Sequence, residues 1–180
     1  ITMPTITPGY YLKPKLSFQA SQYSAALSTS ALYQPNQALN QPVQGFALPT
    51  LSLDSGLAFE RDADEMKWFF GRDILVTMEP RAFYVYTPFQ SQAQTPLFDT
   101  ADAGFGVTQI FSENTFVGND RVADNNKLTT GLTSRVLEGN TGAERATVTI
   151  AQRQDFTGQR VGLNGTIANP TRYSDTLGAS

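Results

Sequence analysis

Cysteine and histidine are both missing from these 180 residues. Without them the chain has no disulfide, no thiolate nucleophile, no common zinc ligand set and no histidine-based triad, and its redox compartment is left open. Long hydrophobic runs are missing too. No stretch reaches the roughly 18 apolar residues from which a membrane helix is read. An excess of positive charge is also lacking: the net charge is -3, which leaves no basic footprint for nucleic acid. At Ile1 there is no charged leader followed by an apolar core, so no signal peptide is visible. With a strand-like pattern still running from Ser174 to Ser180, the chain reads as an internal piece of a longer protein.

What is present is alternation. From Asp73 to Thr87, one face holds Ile74, Val76, Met78, Pro80, Ala82, Tyr84 and Tyr86, and the other Asp73, Thr77, Glu79 and Arg81 among Leu75, Phe83 and Val85. An ordinary strand runs about 5 to 6 residues, whereas a tilted membrane-crossing strand needs about 9 to 11, so the length predicts a transmembrane barrel. The same pattern predicts a strand from Tyr10 to Leu27 with Leu12, Pro14, Leu16, Phe18 and Ala20 on one face. A second follows in which Pro49, Leu51, Leu53, Leu57 and Phe59 alternate with polar positions. Further strands are expected at Asn126 to Glu138, Glu144 to Phe156 and from Ser174 onward, making six. Ile1 to Pro8, punctuated by proline, reads as a turn. Pro14, Pro49 and Pro80 lie inside strand patterns and predict bulges or local breaks.

Connection lengths alternate. Ser28 to Phe46, Pro88 to Asn125 and Thr157 to Thr171 are long, while Asp62 to Arg72 and Gly139 to Ala143 are short. Outer-membrane barrels have short periplasmic turns and longer outer loops, and the longest segment here is expected to be a functional or folded-over loop. Tyr10, Tyr11, Trp68, Phe69 and Phe70 are expected at one interface, and Tyr23, Phe46, Tyr84, Tyr86 and Phe89 at the other. A soluble antiparallel sandwich remains the alternative fold. Six strands do not close a membrane barrel, so the piece must pair with further strands on both sides.

No constellation supports catalysis: Glu79 and Arg81 share a strand face, but no nucleophile or base accompanies them. The sequence carries no cofactor pattern. Asp120, Asp124, Asn125 and Asn126 lack the glycine and closing glutamate of a calcium loop and read as turn chemistry. On the expected inner face stand Lys13, Lys15, Arg81, Lys127, Arg135, Arg145 and Arg153, a surplus of positive charge in an acidic chain. Two readings of these stay open: contact with an anionic partner, or ion pairing across strands.

The phrases LAFERD (Leu57 to Asp62), MEPRAFYVYTPF (Met78 to Phe89), PLFDT (Pro96 to Thr100), QIFSENTFVGNDRVADNNKLTTGLTSR (Gln109 to Arg135) and ERATVTIAQRQDF (Glu144 to Phe156) stand in order. In them the chain resembles the LPS-assembly outer-membrane protein family, LptD or OstA. That resemblance implies an all-β antiparallel transmembrane β-barrel of roughly 26 strands, of which this chain supplies about six. It also implies a non-enzymatic role in inserting lipopolysaccharide into the outer leaflet of a Gram-negative outer membrane. The partners it implies are a plug lipoprotein like LptE, a periplasmic lipopolysaccharide bridge reached through an N-terminal domain outside this chain, and membrane lipids. Gly118, Asp120, Arg121, Asp124, Asn126, Leu128 and Gly131 match the family's recurrent phrase and are expected to fix the long outer loop over the barrel mouth, with Arg121 meeting a carboxylate. The seven basic positions are then candidate contacts to lipopolysaccharide or the plug. A diffusion porin, which should have an inward-folded constriction loop with opposed charge rows, is the alternative function.

Overall fold

The computed structural model describes residues 1–22, 45–63, 65, 67–71, 73–93, 95, 97–104, 106–166 and 170–179. Eight of their strands form one antiparallel sheet whose neighbours follow one another along the chain, and four short ones form two separate pairs. Its members are β1 (Thr5–Ile6), β2 (Tyr10–Ser21), β3 (Phe46–Leu57), β4 (Phe59–Asp62), β5 (Ile74–Thr87), β8 (Asn125–Glu138), β9 (Glu144–Asp155) and β12 (Ser174–Ala179). Between β5 and β8 lie β6 (Ala101–Asp102), α2 (Val107–Ile110) and β7 (Phe116–Val117); β10 (Val161–Gly162) and β11 (Gly165–Thr166) form a hairpin after β9. α1 (Lys67–Phe70) sits in the turn between β4 and β5. No helix among the described residues is long and apolar enough to cross a membrane, which says nothing about strands. The sheet does not close on itself.

Register assigns every side chain to a face, because neighbours along a strand point opposite ways. The row Tyr10, Leu57 and then, beyond the break described below, Pro80, Leu132, Ile150 lies on one face. That face is apolar and open: Leu16, Phe18, Leu51, Leu57, Phe59, Met78, Leu132, Val148 and Ile150 are all exposed. A soluble sandwich would bury such a face against a second sheet, and among the described residues none covers it. The opposite face carries Lys13, Lys15, Ser52, Asp54, Glu79, Arg81, Lys127, Thr129, Arg135 and Arg153.

The three prolines behave differently from one another. Pro14 pairs with Leu53 and Pro49 with Phe18 without any register shift, so neither makes the expected bulge or break. The carbonyl of Pro14 accepts from Met3 N–H (3.2 Å), so its nitrogen faces the N-terminal stretch before β1, away from the β2–β3 ladder, and no bond there needs the missing donor. Pro80 does break a ladder. β3 pairs β5 up to Gly56 and Arg81, and pairing resumes in the same register at Phe59 and Met78. The gap lies opposite Pro80, whose nitrogen gives β3 no hydrogen. The one register shift in the long ladders, at Val136/Leu137, has no proline in it.

Other expectations need correction. Ile1 to Pro8 is not only a turn. Thr5 and Ile6 pair with Leu12 and Tyr11, and Leu16 N–H donates to Ile1 O (2.9 Å), because Pro4 and Pro8 flank the paired residues instead of occupying their donor positions. Phe46 begins β3 instead of ending a loop. Tyr11 and Phe46 fall on the polar face by parity, and Phe89 packs with the Phe116, Ala123 and Val161 cluster, so none of the three belongs to an interfacial girdle. Tyr10, Trp68 and Tyr86 are exposed as expected. Tyr23, the stretch from Ser24 to Leu27 and nearly all of the expected loop from Ser28 to Phe46 lie outside the described residues, as do the side chains of Phe69 and Phe70.

Candidate functional site

The segment between β5 and β8 folds back over the polar face. The described residues of 88–124 form a strap that descends from the loop end of the sheet to the level of Gly131. There Phe111 lies beside Phe83 with ring centroids 6.5 Å apart, and the Arg81 guanidinium stacks on Phe111 at 4.3 Å. Gly131 makes this contact possible, since a Cβ at that position would stand 2.7 Å from Phe111 Cζ. The next same-face position along β8, Thr129, donates to Ile110 O (3.0 Å) and is fully buried. At the wall's other side, Glu113 accepts from Lys15 Nζ (2.9 Å) and Ser52 Oγ (2.6 Å). The expected loop over the mouth is thus also a lining. Phe83, Val85 and Ile110 would otherwise expose apolar surface to the polar side, and the strap buries them.

The residues of the phrase from Gly118 to Gly131 are the fastenings. Asp120 Oδ2 accepts from the backbone N–H groups of Phe98 (2.7 Å) and Asp99 (2.8 Å), while its own N–H donates to Thr100 Oγ1 (3.0 Å). Gly118 has φ 92°, a conformation costly for other residues, and a Cβ there would meet Asp99 O at 2.5 Å. Asp124 Oδ1 accepts from the N–H groups of Arg160 and Val161, both at 2.8 Å, tying the strap to the β10–β11 hairpin. Arg121, 2% exposed, donates to the Thr95 hydroxyl and carbonyl and to Leu163 O (3.1 Å), where a carboxylate was expected. Tyr84 donates to Asn126 Oδ1 (2.9 Å). Leu128 stands between Tyr84 and Gln154 on the apolar face. Two of these side chains, Asp120 and Asp124, therefore do the turn chemistry expected of Asp and Asn over long sequence distances, satisfying backbone amides that would otherwise lose water without replacement.

The basic residues of the polar face are mostly paired. Arg81 grips Asp54 with two bonds of 2.9 Å, and Tyr11 donates to the same carboxylate (3.2 Å). Arg135 binds Glu79 and approaches Glu144 (3.5 Å), Arg145 binds Glu138 (2.6 Å), and Arg153 binds Asp175 (2.6 Å). Lys13 lies over the Tyr11 ring at 4.6 Å. Lys127 is 1% exposed in register with Asp155, and its ammonium has no hydrogen-bond partner among the described residues. Pairing across strands is built into the wall at Arg81, Arg135, Arg145 and Arg153. The candidates do not form one cluster. Lys15, Lys127 and Arg153 belong to the strapped half, whereas Arg135 and Arg145 stand toward the short turns.

Sequence reasoning missed Gln92, Thr95, Phe111 and Asn114. The Gln92 side-chain amide imitates a strand edge, accepting from Val122 N–H (3.0 Å) and donating to Val122 O (2.7 Å); Asn114 does the same for Arg121 O and Ala123 N–H (both 2.9 Å). Phe111 had a signal: it follows Ile110 in an otherwise polar segment, and two adjacent apolar side chains there need a surface to bury against.

Comparison with known proteins fits this arrangement. The family model for LPS transport system D, LptD, matches residues 1–180. The LPS-assembly protein LptD of Cupriavidus metallidurans is 55% identical across all of this chain, which covers 21% of that protein. The LPS-assembly proteins LptD of Ralstonia nicotianae and Burkholderia thailandensis are 49% and 48% identical, over 100% and 96% of this chain and 22% and 21% of their own lengths. The chain thus spans about a fifth of these relatives. Matched along its whole length, and folded into an antiparallel sheet with one apolar and one polar face, the chain belongs to the LPS transport system D family of outer-membrane β-barrels.

Proposed function

We propose that this chain is a wall segment, with its own inner strap, of an outer-membrane translocon that inserts lipopolysaccharide into the outer leaflet of a Gram-negative envelope. It works by binding and guiding and performs no bond chemistry. The observation that carries the reading is the two-solvent sheet: an open apolar face for lipid, and an opposite face whose charges are paired and partly roofed, in a chain matched throughout by the LptD family. The family supports lipopolysaccharide as the cargo. A plug lipoprotein like LptE is the proposed occupant of the half that the strap leaves open, where Arg135 and Arg145 offer charged contacts. A periplasmic lipopolysaccharide bridge is the proposed supplier, acting through a part of the protein outside this chain.

One observation speaks for the diffusion porin, because the strap does fold inward. Its charges are engaged differently from a constriction loop's: Glu113 binds Lys15, Asp120 and Asp124 hold backbone amides, and Arg121 holds carbonyls. Photocrosslinking in cells tests the proposal on the full-length parent. Adducts to lipopolysaccharide or the plug are expected from Thr133 and Arg135, with no plug adduct from Val148 or Ile150. Absence of both adducts, together with small-solute conductance, would favour the porin.

A further inference from the structure

The apolar face is not smooth. Where Pro80 interrupts the ladder, a cavity of about 530 Å³ opens, walled by Tyr10, Leu57 and Pro80 on one side and by Ser55, Ala82 and Thr130 on the other. The second row is small, and its members are register neighbours on the apolar face: Ser55 opposite Ala82, Ala82 opposite Thr130. Tyr11, Gly56, Arg81 and Gly131, whose positions alternate with these, complete its lining. Next along the same face, across the Leu57–Phe59 and Met78–Pro80 stretch, lies a separate second cavity of about 350 Å³ between Phe59, Ala63, Val76 and Met78, with Arg61 and Glu65 at its rim, and the two in line make a furrow. Arg61 and Glu65 pair at 2.7 Å and are both well exposed.

We infer that this furrow is a binding site for one zwitterionic amino-phospholipid. It rests on the reading of the apolar face as the lipid-facing one. From Ala82 to Val76 the furrow runs about 20 Å at 3.3 Å per residue. That length accommodates one acyl chain, since half of a bilayer core is about 15 Å thick. The walls are apolar and half-exposed, and a chain laid between Leu57, Phe59 and Met78 covers them. The rim selects the head group. A lone guanidinium would favour an anionic lipid, but Arg61 stands beside Glu65, so the rim presents one positive and one negative charge a few ångströms apart. A phosphate ester joined to an ammonium by a short linker presents the complementary pair: phosphate to Arg61, ammonium to Glu65. A lipid with several phosphates and no amine would leave Glu65 opposed to like charge.

Native mass spectrometry of the delipidated full-length parent, titrated separately with a phosphatidylethanolamine and a phosphatidylglycerol of the same chains, tests this. One phosphatidylethanolamine is expected to stay bound at least tenfold more strongly than the phosphatidylglycerol. Ala82→Phe, which fills the furrow, and Arg61→Ala, which alters only the exposed rim, are both expected to abolish that preference, with Ile150→Phe as an outward control that keeps it. Equal retention of the two lipids, or preference surviving in both furrow variants, overturns the site. A photoreactive chain-labelled lipid separates the two levels. Capture at Ile150 without any furrow preference refutes the site alone, whereas no capture at Ile150 or Phe59 refutes the lipid-facing reading beneath it.

Discussion

The two halves of the polar face are made from the same strands and the same alternation, yet one is roofed and the other is bare. Along β8, Thr129 is fully buried under Ile110, while Thr133, four residues on and on the same face, bonds Thr149 across the strand pair and remains partly exposed. Toward the loops, polarity is satisfied by the strap: Glu113 for Lys15 and Ser52, and Ile110 O for Thr129. Toward the short turns it is satisfied within the sheet, by Arg135 with Glu79 and Arg145 with Glu138. The difference lies outside the strands. A strand face is defined by parity, but which stretch of it meets solvent is decided by a loop that the parity rule does not describe.

Breaking the strap's fastenings should erase the difference between the halves. Asp124→Ala removes the acceptor for two buried amides and is expected to cost about 3 kcal/mol locally. Hydrogen exchange of the full-length protein should then show lost protection in both the strap and the 157–166 hairpin, while β8 and β9 stay protected. Gly131→Val should expel Phe111 at a cost of about 2 kcal/mol and raise exchange at residues 107–114 only. Glu113→Gln should be milder, below about 1 kcal/mol, because the pair with Lys15 is partly exposed, and its effect should shrink further as salt rises. Smallest is Arg145→Ala in the bare half, expected to leave strap exchange unchanged within about 0.5 kcal/mol. Should Arg145→Ala loosen the strap as much as Asp124→Ala does, the halves are not independent.

The faces of the wall were readable because alternation is a property of neighbouring residues. Ile74 through Tyr86 fell on the apolar face, and Thr77 through Val85 on the polar one, as the sequence predicts. The five long strands β2, β3, β5, β8 and β9, and the shorter β12, were legible for the same reason. The effect of proline was legible only in part. Whether the missing donor matters depends on which neighbour the nitrogen faces, and that is a matter of pairing parity across strands, so Pro80 breaks a ladder and Pro14 does not. The strap's path was not legible. Asp120, Asp124 and Arg121 act on residues 21 to 42 positions away, through backbone groups that carry no sequence signature. The Gly131 to Phe111 contact is of the same kind, since a glycine within a strand announces a close approach without naming what approaches.

The most direct test of the central claim, that the strap roofs one half of the inner wall and leaves the other open, uses the absence of cysteine in this chain. Single cysteines at Thr129, Thr133 and Val148 of the full-length protein, in a background whose other cysteines are blocked or replaced, would be exposed to a membrane-impermeant maleimide in the isolated, membrane-embedded state. The account predicts labelling of Thr133→Cys, protection of Thr129→Cys that is lost when Asp124→Ala is added, and no labelling of Val148→Cys on the lipid side. Equal labelling at 129 and 133 in the otherwise unaltered protein would contradict it.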